Sequence, residues 1–145
     1  MNNYIWGIDL GGTKIEGVIL ESRHSLKVIA RKRIPTEAEK GYEHILQQIC
    51  QLLEMLKAEA KVAPQAIGMG TPGSIDPYTN NLKNSNTTCL NGKPLQQDIA
   101  QLLGIPVFIA NDANCFAVAE ANLGAVPTSF PNAKVVFGVI MGTGV

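Results

Sequence analysis

The sequence predicts an α/β protein: a mixed sheet that opens with a β-meander and carries covering helices. Three observations predict it. The first forty residues hold three short apolar, β-rich runs, the apolar spacing then changes to threes and fours, and from residue 66 onward strand-like and helix-like segments alternate. With 145 residues, 46% hydrophobic and 17% charged, the chain can bury a core of ordinary domain size.

The elements follow in order. Tyr4 to Leu10 is the first strand, Gly11 and Gly12 supply a turn, Lys14 to Leu20 is the second strand, and Leu26 to Ile34 is a third that stops at Pro35. Between Gly41 and Val62, Ile45, Leu46, Ile49, Leu52, Leu53 and Leu56 fall on one face of a helix that ends near Pro64 and covers the sheet. Ala66 to Gly70 is a short buried strand, broken by TPGS at 71 to 74. The polar stretch after it has no helical period and forms a long loop or a small hairpin. Pro94 suits the first turn of a helix lined by Leu95, Ile99, Leu102 and Leu103, which Gly104 and Pro106 stop. Pro106 to Ala110 is the next strand. Asn111 or Asp112 caps a helix running to Asn122 with Gly124 as its exit, and Lys134 to Met141 is a last strand leading into GTGV.

Composition excludes several classes of function. Twelve basic residues balance twelve acidic ones without a block of like charge, so no sequence-independent grip on nucleic acid or on an anionic membrane is expected. Cys50, Cys89 and Cys115 are odd in number and form no C-x-x-C pair, which fits a reducing, cytoplasmic setting. The N-terminus lacks a cationic stretch before an apolar one, and no run reaches the roughly 18 apolar residues of a spanning helix. Asn86-Thr87-Thr88 matches a glycosylation sequon that a cytoplasmic protein would not use. His24, expected in a turn, and His44, near a helix start, are isolated and make no metal pair. Cys50 and Cys115 are expected in the core.

The first motif is GIDLGGTK at residues 7 to 14. Its spacing fits neither a P-loop nor a dinucleotide fingerprint. Here the glycines join two strands, so the backbone N–H groups of Gly11 and Gly12 can form an anion-binding concavity, with Thr13 adding a hydroxyl and Lys14 a cation. Asp9 at the strand end would repel a phosphate unless a divalent cation or its waters lay between them, which suggests Mg²⁺. The plain alternative is a hairpin whose turn happens to be rich in glycine. A second run, GVIMGTG at 138 to 144, matches the first in its glycines and apolar positions, as if two related domains each presented a phosphate-binding hairpin to one cleft, with Gly142, Thr143 and Gly144 as the second bend.

DLGGTK near the N-terminus, a strand ending in G-x-G-T-P-G, NDAN before a helix and GTGV after a strand together resemble the ROK family of repressors, open reading frames and sugar kinases. That family has the actin-like ATPase (ribonuclease H-like) fold. The resemblance spans the whole chain but only the N-terminal half of such a kinase. It implies residues 1–133 as the small N-terminal domain and 134–145 as the first strand of a truncated C-terminal domain. Within the family, PGSIDPYTNNLKNSNTTCLNGKPL looks closest to the bacterial fructokinase and mannokinase branch, although Cys89 stands where that pattern has an aromatic residue.

The resemblance implies ATP- and Mg²⁺-dependent phosphorylation of a hexose, with fructose going to fructose 6-phosphate as the first expectation. N-acetylglucosamine kinase or glucokinase of the same family is the alternative. Asp112 matches the family's catalytic base and Asn111 a sugar-binding residue, while an Asn-Asp pair before a helix also serves simply as a cap. Gly73 matches the loop that closes over one side of the sugar. Asn84, Ser85 and Asn86 offer directional hydrogen bonds to sugar hydroxyls, and Asn86 is the preferred ligand.

A structural zinc and further sugar ligands would lie beyond residue 145. The chain alone is expected to be inactive or nearly so, and the full-length protein to be a homodimer. A transcriptional repressor of the family needs a helix-turn-helix before the first hairpin, and only eight residues precede Asp9. An actin-like or chaperone ATPase has no reason to carry NDAN beside an amide-rich loop. A non-catalytic sugar-binding regulator is the remaining alternative of another class.

Overall fold

The computed structural model describes residues 4–140. Seven strands and four helices follow one another: β1 (Ile5–Leu10), β2 (Lys14–Leu20), β3 (Val28–Pro35), α1 (Tyr42–Ala60), β4 (Ile67–Thr71), β5 (Ser74–Ile75), β6 (Leu82–Lys83), α2 (Leu95–Leu103), β7 (Val107–Asn111), α3 (Asp112–Leu123) and α4 (Ala125–Ser129). Five strands form one mixed sheet in the order β3-β2-β1-β4-β7. The opening meander is antiparallel, and β4 and β7 then add in parallel to β1. The polar stretch after TPGS is a hairpin, β5 with β6, followed by a single 3₁₀ turn at Thr88–Leu90.

Strand alternation separates the two faces of the sheet. Trp6, Ile8 and Leu10 of β1, Ile15 and Ile19 of β2, Ile67 and Met69 of β4 and Val107 of β7 are buried together on one face. α1 lies over it with the six apolar residues that the spacing predicts, each buried, and Leu95 and Ile99 of α2 complete the layer. Burying each such side chain contributes roughly 1.5–3 kcal/mol, so this face carries most of the fold's stability. Lys61, in the left-handed region at φ 54°, ends α1 by donating its N–H to the carbonyl of Lys57.

The opposite face is different. It presents Gly7, Asp9, Gly68, Gly70, Phe108 and Ala110, and α3 crosses it only at the C-terminal ends of the strands. Two expectations fail here. Residues 134–140 form no strand, because a strand exists only where a neighbour takes its backbone hydrogen bonds, and none among the described residues does so. Cys115, expected in the core, is exposed, since no residue of α3 is buried; Cys50 on α1 is half-buried. The second glycine bend, residues 142–144, lies outside the described residues.

Candidate active site

The candidate residues gather at the C-terminal ends of the parallel strands β1, β4 and β7, where α/β sheets present their ligands. Asp9 pairs with Gly70, and Gly70 with Ala110, so the three form one row across the sheet. Asp112, two residues beyond that row, opens α3. Gly70 is the floor between them: a β-carbon placed there would lie 3.6 Å from Cys115 Sγ, 3.8 Å from Asp112 Cα and 3.9 Å from Asp9 Oδ1. The Asp9 carboxylate, the Asp112 backbone and the Cys115 thiol thus meet around Gly70.

Their electrostatics record the crowding. Burial raises the pKa of Asp9 above the usual carboxylate range, the charges of Asp112 and Glu16 add to the rise, and Arg33 opposes it. Asp9 as a whole residue stays open to solvent, so the desolvation is that of a carboxyl partly shielded by its neighbours rather than in the core. Burial raises the Cys115 thiol as well, helped by Asp112 and then Asp9. Glu16, opposite Asp9 in the β1–β2 ladder, is different: burial pulls its pKa upward, but hydrogen bonds from Arg33 and Arg31 outweigh this and hold it low.

The glycine turn between β1 and β2 is tied down from inside. The Gly11 N–H donates to the carbonyl of Lys14 at 2.9 Å, and a β-carbon at Gly11 would sit 2.9 Å from that same oxygen. The Thr36 hydroxyl donates to the Gly11 carbonyl at 2.7 Å, and the Thr36 N–H to the carbonyl of Thr13 at 2.9 Å. The Gly11 N–H is thus engaged within the turn. The N–H groups of Gly12 and Thr13 have no acceptor among the described residues, and Gly12, Thr13 and Lys14 are exposed. Sequence reasoning missed Thr36. Its side chain is fully buried after an edge strand, and only the folded arrangement shows what it holds.

The loop after β4 meets the loop after β6 across Gly73. At φ 90° this residue needs the left-handed freedom of glycine, and a β-carbon would fall 2.5 Å from the Lys83 carbonyl oxygen and 3.0 Å from the Ser85 nitrogen. Asn111 then joins Gly73 to α3. Its Nδ2 donates to the Gly73 carbonyl at 2.7 Å, and its Oδ1 accepts from the N–H groups of Ala113 at 3.1 Å and Asn114 at 3.3 Å as the helix cap. Both ends of that amide are engaged. The exposed Asp112 accepts at Oδ1 only from the N–H of Ala113, at 2.8 Å, among the described residues. Asn84 and Asn86 are exposed, Ser85 is buried, and the Thr87 hydroxyl lies 3.4 Å from where a β-carbon on Gly12 would stand. The amide-rich loop therefore borders the glycine turn. The structure sets the loop at 84–87 beside the glycine turn, ties Asn111 to Gly73, and brings Asp9 and Asp112 to Gly70.

A mixed sheet with this strand order is that of the actin-like ATPase fold, as in the solved structures that the chain superposes on. The chain belongs to the ROK family, whose model matches residues 5–145. It is 36% identical over 140 residues to an N-acetyl-D-glucosamine kinase of Citrobacter koseri, covering 97% of this chain and 44% of that protein. It is 37% identical over 139 residues to one of Aliivibrio fischeri, covering 96% and 43%. The ROK hexokinase of Thermus thermophilus superposes with a TM-score of 0.69 at 31% identity, over 83% of this chain and 39% of that one. The ROK family glucokinase of Streptomyces griseus, solved with glucose and AMPPNP, superposes at 0.64 with 27% identity, over 84% and 37%. The chain spans less than half the length of the curated relatives it matches.

Proposed function

We propose that this chain forms the N-terminal part of an ATP-dependent hexose kinase, in which Asp112 receives the proton of the sugar hydroxyl as that oxygen attacks the γ-phosphate. The observation that carries the reading is the convergence of Asp9 and Asp112 over Gly70 at the strand ends. A carboxylate cannot deprotonate an alcohol outright at neutral pH, so Asp112 acts chiefly by orienting the oxygen in line and accepting its proton late. Gly73, Asn86 and Asn111 frame the hexose, Asn111 through the carbonyl it holds. The N–H groups of Gly12 and Thr13 with the Lys14 ammonium face the phosphates, joined by Gly142, Thr143 and Gly144 from beyond the described residues.

A divalent cation fits the site's donors. Burial and then the charge of Asp112 raise the proton affinity of Asp9, and a cation would relieve that repulsion. Among the described residues no cluster of three metal-ligating side chains exists, which suits Mg²⁺ held by Asp9, water and phosphate oxygens rather than by a protein cage. It would neutralise charge on the transferring phosphoryl group.

For the acceptor, the fructose expectation has no support from the comparisons. Curated relatives named as N-acetyl-D-glucosamine kinases and solved relatives named as hexokinase or glucokinase favour the alternative, a pyranose acceptor, with N-acetylglucosamine first. Residues 134–145 enter a second domain in this reading, a homodimer of the longer protein follows the family, and a cytoplasmic site suits ATP. No described helix is long and apolar enough to cross a membrane. The test is ADP formation by the longer protein carrying this chain, with ATP, Mg²⁺ and a panel of N-acetylglucosamine, glucose, mannose and fructose. Turnover led by N-acetylglucosamine is expected. Hexose binding without ADP formation would turn the reading into a sugar-responsive regulator.

A further inference from the structure

The segment from Leu82 to Ser85 is held on both sides, and the second support is unusual. On one edge it pairs with β5, Ser74 opposite Lys83 and Ile75 opposite Leu82, and Gly73 packs against the Lys83 carbonyl and the Ser85 nitrogen. On the other edge the chain returns at Gly92 and Lys93: the Leu82 N–H donates to the Lys93 carbonyl at 2.9 Å, and the Gly92 N–H to the Leu82 carbonyl at 2.8 Å. Backbone pairing stops there, because Gly92, at φ 77°, turns the chain away. The next rung is made by a side chain. Asn91 Oδ1 accepts the Ser85 N–H at 2.8 Å, and Asn91 Nδ2 donates to the Ser85 carbonyl at 3.0 Å. Its carboxamide stands in for a peptide group, satisfying donor and acceptor of one residue as a neighbouring strand would. The Ser85 hydroxyl accepts the Thr87 N–H at 3.1 Å and turns the chain immediately beyond the clasp. Asn86, between these two fixed residues, projects into solvent.

We propose that Asn91 is a positioning residue for the hexose site: by completing the ladder at Ser85 it sets the place and orientation of Asn86 and the packing of Ser85 against Gly73. This rests on the hexose-kinase reading above. Asn91 touches neither sugar nor nucleotide in this arrangement. An isolated loop residue bearing an amide gains little from fixing one geometry, whereas a residue that reads a hydroxyl by hydrogen bonds must be held in place before the sugar arrives.

The experiment compares wild type, Asn91→Ala and Asn91→Asp in the longer protein carrying this chain. KM for N-acetylglucosamine and for ATP is measured together with amide hydrogen exchange at residues 84–87. Losing both hydrogen bonds in Asn91→Ala is expected to raise the hexose KM ~10-fold while the ATP KM stays within about twofold. Asn91→Asp keeps an acceptor for the Ser85 N–H and is expected to fall between the two. Exchange at Ser85 accelerates in Asn91→Ala while that of α1 does not change. An unchanged hexose KM in an active enzyme, hexose and ATP KM rising together, or an unchanged Ser85 exchange rate would each overturn the assignment of Asn91 alone. A wild type that forms no ADP with any hexose of the panel overturns the kinase reading, and the positioning role with it.

Discussion

α1 and α3 are both rich in apolar residues, yet they have opposite fates. All six apolar residues of the α1 stripe are buried against the sheet, whereas Phe116, Val118 and Leu123 of α3 are 39%, 62% and 60% exposed. Phe108, on the sheet face that α3 only partly crosses, is 64% exposed, and Val135, Phe137 and Val139 lie open beyond it. One face of the sheet is thus finished by this chain and the other is not. What fixes α3 is its first turn, through the Asn111 cap, the tie to Gly73 and the contact of Cys115 with Gly70, and that turn is where the candidate chemistry sits.

The two faces should respond unequally to substitution. Leu53→Ala opens a cavity in a fully buried layer and is expected to cost ~2–5 kcal/mol, whereas Val118→Ser should stay within ~0.5 kcal/mol, both read from urea unfolding of this chain. Equal losses at the two positions would mean that α3 is packed as tightly as α1.

A smaller effect separates the site from the scaffold by pH. In the folded chain Asp9 holds its proton more tightly than an unfolded aspartate, because burial and the neighbouring Asp112 disfavour its charge. The native state therefore binds more protons than the unfolded one in the window between the two pKa values, and stability falls as pH rises through it. Asp9→Asn removes the partly desolvated charge and its repulsion with Asp112. It should raise Tm modestly at pH 7, and the gain should shrink as pH falls toward 4 and wild-type Asp9 takes up its proton. A gain that persists undiminished at low pH would locate its cause elsewhere.

Local periodicity made α1 and the meander legible: six apolar positions at spacings of three and four admit one helical face, and the second strand begins and ends where its apolar run does. The apolar run at 134–141 was as strand-like as any other, but a strand depends on a neighbour that no local pattern encodes. α3 carried enough apolar residues to suggest a core helix, and only the sheet's geometry shows that most of its length has nothing to lie on. Of the candidate site, Asp9, Gly73, Asn111 and Asp112 are each marked by a motif in the sequence. Thr36 and Asn91 are not, because each acts through hydrogen bonds to backbone that sequence alone does not place beside it. Gly11 was recognised as a turn residue, but the inward direction of its N–H emerges only from the folded hairpin.

The proposed reading gives Asp112 the reacting hydroxyl, and one substitution separates that role from scaffolding. Asp112→Asn in the longer protein keeps the size of the side chain and leaves the Asn111 cap intact, so hexose KM should remain within a few-fold of wild type while kcat falls by ~10²–10⁴. A variant that forms ADP as fast as wild type, with the same hexose, would contradict the assignment and with it the reading of the strand ends as a phosphoryl-transfer site.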